Sequence, residues 1–276
     1  MKHKVSRYAG SAVLWAGAFG WAIAATAYPA GSPFWGPSGL GSIPTTDTVP
    51  EDQVELGVKY EHVSPVVGKT NFFPVATATY GARRSELGVA YARERTTAPG
   101  FTFHGDYFAI HGKVRLLGSA NKAQLAVGAH YLNFGGSPGS LTSVYLTGSA
   151  PLLRRDGQTR LRGHLGVIHH RVKGFAPDNE TRPMIGLEWR TASRLTVAAD
   201  YLPKKGNSAS ISSLIARYGW PCGVTAQIGV GQFRGNDNRL FAGVSYLFDT
   251  NKNSDTLFGK ADSGKAPANA NTEATR

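Results

Sequence analysis

The sequence predicts an all-β fold: a single transmembrane antiparallel β-barrel of about twelve strands, preceded by a cleaved signal peptide. Apolar and polar residues alternate with a period of two from position 53 to position 248, as in strands whose two faces meet different surroundings. Glycine accounts for 34 of the 276 residues, and charged residues for only 17%, below the roughly 25% of soluble domains. Beyond the N-terminal segment no run of 18 apolar residues occurs, so no spanning helix is predicted there.

The N-terminal segment, residues 1–27, has the layout of a secretory signal peptide. Basic residues come first and are followed by an apolar stretch that runs from Ala12 to Ala25. Ala25-Thr26-Ala27 is then an A-x-A cleavage site. A transmembrane anchor is the alternative, but the apolar stretch is short and contains glycines. We therefore expect the chain to be exported.

The next segment, residues 28–50, is rich in Pro, Gly, Ser and Thr. Its prolines each remove a backbone donor, so it cannot form a regular helix or a long ladder-paired strand. Within it, Gly39-Leu40-Gly41-Ser42-Ile43-Pro44-Thr45-Thr46-Asp47 resembles the Gly-Leu-x-x-Ile/Met-Pro-Thr-Ala segment that opens the barrels of YjbH-like outer-membrane proteins. That family is associated with exopolysaccharide secretion, and the resemblance implies an outer-membrane barrel in such a system. We expect residues 28–50 to be an irregular periplasmic or plug-like segment.

Residues 51–248 contain twelve stretches with the alternation of a membrane strand, which needs about 9–11 residues when it is tilted. In the first, Val54, Leu56 and Val58 alternate with polar residues and glycine. We expect the apolar faces to contact lipid and the polar faces to line the interior. The predicted strands centre on Val54–Glu61, Phe73–Gly81, Glu86–Ala92, Tyr107–Leu116, Gln124–Leu132, Val144–Leu152, Arg160–His169, Ile185–Arg190, Leu195–Tyr201, Ser210–Tyr218, Val224–Gln232 and Leu240–Phe248.

The predicted connections alternate in length, as they do in outer-membrane barrels with short periplasmic turns and longer external loops. Longer links follow the odd-numbered strands, as at Val63–Asn71, Arg95–Phe103 and Lys173–Arg182. An even number of strands returns both ends of the barrel to the periplasm. A soluble periplasmic β-protein is an alternative, but a β-sandwich has no reason to alternate its loop lengths.

The last predicted strand has the features of a barrel-closing strand. Gly243, Tyr246 and Phe248 resemble the Gly-x-x-aromatic-x-aromatic signal that ends outer-membrane barrels, and this resemblance implies recognition by the barrel-assembly machinery. Residues 249–276 contain almost no large apolar side chains, so burial cannot offset the entropy cost of ordering them. We expect a disordered periplasmic tail.

Basic residues at inward-facing positions gather near the predicted periplasmic mouth. Like charges in a narrow opening repel one another, so this basic ring should hold anions or be neutralised by the protein itself. The proline-rich segment enters at the same mouth. We predict that residues 39–52 tuck against or into it, with Asp47 meeting the ring as a plug; the alternative is a segment that hangs free. The predicted basic ring comprises Arg84, Lys113, Arg115, Arg160, Arg162, Arg190 and Arg194.

His62 and Ser64 are the sharpest candidates for chemistry. Residues two apart on a strand share a face, which places an imidazole base beside a serine hydroxyl at the external end of the lipid face. The pair resembles the His-x-Ser of outer-membrane phospholipase A and of the lipid A deacylases, which implies a lipid hydrolase as an alternative function. Those families follow the serine with Asn, whereas this chain continues with Pro65, and no orienting acid is identifiable. The prediction is therefore that the protein is not an enzyme.

No cofactor or metal site is predicted. His164 and His170 face inward whereas His169 faces outward, so one strand cannot gather them around an ion. His111 and His130, both inward on neighbouring strands, leave a two-histidine pair open. The formal charge of +12 invites a nucleic-acid hypothesis, but an exported chain without a long basic run does not favour nucleic-acid binding.

The expected function is that of a small pore or a structural component of an envelope or exopolysaccharide system. The expected partners are outer-membrane lipid and lipopolysaccharide, the barrel-assembly machinery, and polysaccharide or small anions.

Overall fold

The structure, a computed structural model, describes residues 37–64, 69–119, 121–134, 139–173, 178–191, 194–205, 210–233 and 237–250. These residues form twelve strands in one closed antiparallel barrel, in which each strand pairs with its neighbours in sequence and β1 pairs with β12. The predicted fold class is confirmed. The strands are β1 (Gln53–Ser64), β2 (Lys69–Ala82), β3 (Ser85–Ala98), β4 (Phe101–Leu117), β5 (Gln124–Phe134), β6 (Gly139–Arg155), β7 (Gln158–Lys173), β8 (Asp178–Arg190), β9 (Leu195–Leu202), β10 (Ile211–Gly219), β11 (Val224–Phe233) and β12 (Asp237–Asp249).

The predicted signal peptide (1–27), the first part of the proline-rich segment (28–36) and the tail beyond Thr250 lie outside the described residues. So do parts of the links between strands, at 65–68, 120, 135–138, 174–177, 192–193, 206–209 and 234–236. Within the described part of the chain, no helix is long and apolar enough to cross a membrane.

The two ends of the barrel differ in what they carry. The terminal end is where β1 begins and β12 finishes, and where β2, β4, β6, β8 and β10 each connect to the next strand. The opposite end is called the loop end. At the terminal end, Asp156 and Gly157 form a two-residue turn with φ values of 54° and 72°. Positive φ at both central residues is typical of the type I′ turn, whose twist matches that of the flanking strands.

The strands extend further at the loop end than predicted. The predicted link Arg95–Phe103 lies almost entirely in the β3–β4 ladder, which continues to the pair Ala98 and Phe101. Only residues 99–100 separate the two strands. The alternation rule missed these extensions because it requires an apolar outer face, whereas the outward positions here, such as Arg95 and His104, are polar. The expected contrast between short and long links is not observed: links at the loop end span two residues (99–100) to eight (203–210), and those at the terminal end span two (83–84) to six (118–123).

Side chains alternate between an apolar outer face and a buried interior. On β1, Leu56 and Val58 are 43% and 52% exposed, whereas Glu55 and Lys59 between them are 6% and 2% exposed. This pattern is inverted relative to a soluble protein, in which large apolar residues are buried. It matches a barrel whose outer surface contacts hydrocarbon.

The interior of the barrel contains an apolar layer as well as charged residues. Inward-facing apolar side chains from eight strands form one cluster with two residues that precede β1, Leu40 and Ile43. The lumen at this level is therefore a packed core. The strand residues of this apolar cluster are Val75, Ala92, Tyr145, Ile168, Met184, Ala198, Leu202, Ile215 and Phe241.

The closing strand β12 pairs with β1 over the whole length of β1, from Gln53–Asp249 to Ser64–Asn238. Its residue Gly243 faces inward, where a Cβ atom would lie 2.7 Å from Lys59 Cγ. Tyr246 and Phe248 form an edge-to-face pair with ring centroids 4.4 Å apart.

We expect Phe248→Ala or Tyr246→Ala to lower the fraction of folded, heat-modifiable protein, because each change removes half of this ring pair at the end of the closing strand. Gel migration before and after heating measures that fraction. Deletion of 251–276, which retains the hydrogen bond from Thr250 N to Asp52 O (3.0 Å), is the control and should fold normally. A loss of folding on the tail deletion alone would show that the closing strand is misassigned.

Candidate functional site

Residues 38–49 lie inside the barrel and begin as a tight hairpin, called here the lumen hairpin. Leu40 N donates to Ile43 O at 3.0 Å, and Thr45 N donates to Ser38 O at 3.1 Å. Leu40 and Ile43 are almost completely buried, as are most other residues of the segment. The Pro and Gly residues that exclude this segment from a regular strand thus suit it to a turn within the lumen.

The tip of the lumen hairpin is held by a carboxylate of β9. Asp200 Oδ2 accepts hydrogen bonds from Gly41 N (2.7 Å) and Ser42 N (2.8 Å). Arg217 of β10 donates from Nη2 to Leu40 O at 2.7 Å. A Cβ atom on Gly41 would lie 2.0 Å from Ser213 Oγ, so only glycine fits this close approach. The two backbone donors and the backbone acceptor at the tip are therefore hydrogen-bonded to charged side chains of the barrel wall.

The apolar side chains of the lumen hairpin, Leu40 and Ile43, belong to the apolar cluster of the interior. Gly186 of β8 leaves room for them, since a Cβ atom there would lie 2.4 Å from Leu40 Cδ1 and 3.0 Å from Ile43 Cδ1. Burying a leucine or isoleucine side chain contributes about 1.5–3 kcal/mol. The wall and the hairpin are thus complementary in shape as well as in charge.

The base of the lumen hairpin is clamped by Glu86 of β3 and Lys113 of β4, which face each other across the ladder. Glu86 Oε1 accepts from Ser38 N (2.7 Å), and Oε2 accepts from Ser38 Oγ (2.6 Å) and from Val49 N (3.0 Å). Lys113 Nζ lies 3.2 Å from Glu86 Oε1 and donates to Ser38 O at 2.8 Å. Both charged side chains are completely buried, so each depends on the other and on the hairpin. We call these two residues the base clamp.

Asp47 contacts two arginines of the predicted basic ring. Its Oδ1 lies 2.7 Å from Arg162 Nη1, and its Oδ2 lies 3.5 Å from Arg190 Nη2. Burial acts to raise the pKa of Asp47, but the charges of Arg162 and Arg190 outweigh it, and the net direction of the pKa is downward. The carboxylate therefore stays ionised at a pH where exposed carboxylates begin to protonate.

The seven residues of the predicted basic ring lie at different depths along the barrel axis. Lys113, Arg162 and Arg190 meet the lumen hairpin, whereas Arg115 and Arg160 are half-buried in the wall. Arg84 and Arg194 are exposed in turns at the terminal end.

Several residues of this site were not singled out by sequence reasoning as contacts of the plug. The signal for them was inward parity combined with a polar or charged side chain, which many other positions share. They are Glu86, Gln124, Ser149, Asp200, Arg217 and Arg239.

On the outer face, the structure brings His62 and Ser64 together. His62 Nε2 lies 2.7 Å from Ser64 Oγ, and His62 Nδ1 lies 2.7 Å from Asn71 Oδ1. Asn71 is directly opposite His62 in the β1–β2 ladder. We call Ser64, His62 and Asn71 the outer triad.

Asn71 reaches the outer face because β2 is irregular between Phe72 and Val75. Strict alternation from Ala76, which faces outward opposite Val58, would turn Asn71 inward. One extra residue in the strand, next to Pro74, reverses the faces beyond it. Sequence reasoning looked for an acid and assumed unbroken alternation, so it missed this amide.

The histidines of the interior make local contacts. His164 Nδ1 lies 2.7 Å from Ser149 Oγ and His170 Nδ1 lies 2.8 Å from Ser143 Oγ. His111 and His130 are paired across β4 and β5, as their parity predicted. Among the described residues, no group of three or more His, Cys, Asp or Glu side chains is placed to hold a metal ion.

Comparison with known proteins gives matches among solved structures alone. No family model matches the sequence, and no curated protein matches it. The KdgM porin shares 14% sequence identity with a TM-score of 0.51, and the match covers 70% of this chain and 99% of that one. The NanC porin shares 12% identity with a TM-score of 0.51, over 69% of this chain and 98% of that one.

An outer-membrane channel from Pseudomonas putida F1 is also similar, at 11% identity and a TM-score of 0.54, over 74% of this chain and 98% of that one. Likeness at such low identity concerns the fold. The chain has the fold of bacterial outer-membrane β-barrels of the porin and channel type.

Proposed function

We propose that the protein is an outer-membrane channel for small anions, anionic sugars included, and that its own lumen hairpin closes it. We place the terminal end at the periplasm, because β1 begins and β12 finishes there, as in outer-membrane barrels with an even number of strands. The lipid-facing apolar surface supports this location over a soluble periplasmic β-protein. Lipopolysaccharide and the barrel-assembly machinery are the partners expected of that location.

One observation carries the proposal: the lumen hairpin is held from around the circumference of the barrel. Strands β3 to β10 and β12 each supply a side chain that bonds to residues 38–49. A segment anchored on opposite walls lies across the lumen and cannot leave it without breaking buried polar contacts. The wall residues are Glu86, Lys113, Gln124, Ser149, Arg162, Arg190, Asp200, Arg217 and Arg239.

The wall residues that bond to the lumen hairpin include five cations and two carboxylates, a balance that favours an anionic solute. When the lumen hairpin withdraws, Arg162 and Arg190 lose the carboxylate of Asp47, and Arg217 loses a backbone acceptor. Basic side chains in a narrow lumen attract anions and repel cations. The KdgM porin, whose fold is similar, has been solved in complex with disordered oligogalacturonate. Anionic sugars are therefore included in the proposed solute class.

A structural role in an envelope or exopolysaccharide system is the second candidate. The observation that favours it is that the segment resembling YjbH-like proteins, Gly39 to Asp47, contributes most of the lumen hairpin. In that case the hairpin is a permanent part of the core, and the barrel stays closed under all conditions. A barrel that never conducts, even at high voltage, would support this role over that of a channel.

The test is the conductance of Asp47→Arg in a planar bilayer. A third cation beside Arg162 and Arg190 repels both, so the lumen hairpin should be displaced, and conductance and anion preference should rise. The rise should be larger at low salt than at high salt, where screening shortens the field.

The matched control is Glu51→Arg, which makes the same charge change two residues beyond the lumen hairpin, at an exposed position. It should leave conductance near that of the unmodified protein. If folded Asp47→Arg barrels have unchanged conductance and selectivity, the hairpin does not close the channel.

A further inference from the structure

The outer triad has the hydrogen-bond order of a serine hydrolase. Asn71 Oδ1 can only accept, so His62 Nδ1 carries the proton that lies between them at 2.7 Å. His62 Nε2 is then unprotonated and accepts from Ser64 Oγ at 2.7 Å. A serine hydroxyl is activated when a base lies within hydrogen-bond reach and a third group orients that base.

Tyr60 makes a second contact with Asn71, the residue that orients His62. Tyr60 donates from Oη to Asn71 Oδ1 at 2.9 Å, and its ring packs edge-to-face on Phe73 at a centroid distance of 6.2 Å. Asn71 is therefore held by β1 at two points. A pre-organised amide keeps the imidazole in one tautomer and one orientation, which is what a general base requires.

The position of the outer triad indicates a lipid as its substrate. It lies on the outer face at the loop end of β1 and β2, where apolar and polar surfaces meet. Leu240, directly opposite His62, is 43% exposed, and Phe73 is 59% exposed. A serine at this boundary faces the level at which acyl esters join lipid chains to their headgroups.

We propose that the outer triad is an esterase site that hydrolyses an acyl ester of a membrane glycerophospholipid. Ser64 and His62 are the catalytic residues, and Asn71 and Tyr60 are positioning residues. This activity goes beyond the channel function and is independent of it, because the site lies on the opposite side of the barrel wall from the lumen hairpin.

The reaction proceeds in two balanced steps. Ser64 Oγ attacks the carbonyl carbon as its proton passes to His62 Nε2; the ester C–O bond then breaks, and the leaving lysolipid oxygen takes that proton. Water then attacks the carbonyl carbon of the acyl-serine and gives a proton to His62 Nε2. The bond between that carbon and Ser64 Oγ breaks, and Ser64 Oγ takes the proton back from His62 Nε2. The products are a lysophospholipid and a fatty acid, and no cofactor or oxidant is needed.

The first experiment uses the full-length folded barrel in detergent and in vesicles of phosphatidylethanolamine and phosphatidylglycerol. We expect a fluorophosphonate probe to attach to Ser64, located by peptide mass, and fatty acid to be released from the vesicle lipids. Ser64→Ala and His62→Ala should abolish labelling and lower release by about 10³-fold or more.

The matched control is Thr181→Ala. Thr181 also places a hydroxyl beside a histidine on the outer face, 2.9 Å from His169 Nδ1 in the β7–β8 ladder. Its loss should leave labelling and release unchanged, within about twofold. Ser64→Ala should keep the conductance of the unmodified barrel, so failure of the esterase proposal and failure of the channel proposal are distinguishable.

The positioning role of Asn71 has its own readout. Asn71→Leu removes the acceptor and should lower kcat with little change in KM, whereas Asn71→Asp keeps an acceptor for His62 Nδ1 and should restore most of kcat. A folded, heat-modifiable barrel that neither labels at Ser64 nor releases fatty acid would overturn the proposal. So would activity that persists in Ser64→Ala.

Discussion

Deleting residues 28–47 while retaining residues 1–27 is expected to turn a closed barrel into a conducting one, the largest functional change predicted for this protein. The deletion removes Leu40 and Ile43 from the apolar cluster and Asp47 from its two arginines. It leaves β1 and its pairing with β12 intact, since β1 begins at Gln53. Single-channel recording in a planar bilayer measures the result, with anion preference taken from the reversal potential in a salt gradient.

A point variant tests the same closure in case the deletion variant folds poorly. Ile43→Asp places a carboxylate among the apolar side chains of the interior, and burying a charge without a partner costs several kcal/mol. A cost of about 4 kcal/mol shifts a closed–open equilibrium by about 10³-fold toward the open state. Heat-modifiable migration establishes that each variant is folded. A folded deletion variant with the conductance of the full chain would show that residues 28–47 do not occlude the lumen.

The second large effect is expected at the base clamp. Glu86→Leu removes the acceptor for Ser38 and Val49 and leaves the buried ammonium of Lys113 without its carboxylate partner. Breaking a buried ion pair in this way costs about 3–5 kcal/mol. We therefore expect the free energy of unfolding in urea to fall by that amount and the conductance to rise.

A double variant separates these two consequences. Glu86→Leu with Lys113→Met restores an apolar match between β3 and β4, so most of the lost stability should return. The conductance should stay high, because Ser38 N and Val49 N still lack the Glu86 acceptor. Recovery of both stability and closure would mean that the base clamp acts on the barrel alone and not on the lumen hairpin.

The matched control for the base clamp is Glu55→Leu. Glu55 is a buried carboxylate on the same interior wall, but none of its described hydrogen bonds is made with the lumen hairpin. Its removal should leave the conductance unchanged. An open channel in this variant would show that any loss of interior charge opens the barrel.

The strands and their faces could be predicted because the two-residue period is a local property. On β1, Glu55 and Leu56 point to opposite sides whatever the rest of the chain does, and their polarity identifies the interior and the lipid. The extensions of β3 and β4 beyond Arg95 could not be predicted in this way. There the outward positions, such as the pair Arg95 and His104, are polar, so an apolar outer face no longer marks the strand.

Two of the three residues of the outer triad could be predicted to lie together from local alternation. His62 and Ser64 share a face because they are two residues apart on one strand. Asn71 joins them only because β2 contains an extra residue next to Pro74, which reverses the alternation. A proline in a strand indicates an irregularity, but its effect on register depends on how two neighbouring strands pair.

The sequence by itself determined the number of strands, the lipid-facing surface and the irregular character of the segment before β1, since these follow from periodicity and from proline and glycine content. Only the tertiary structure decided where that segment lies and what holds it. Asp200 meets Gly41 across 159 positions, and Arg217 meets Leu40 across 177. Such contacts exist because closure of the barrel arranges β3 to β12 around one axis. Which side chains then face one another depends on how distant strands pair, and local sequence does not determine this.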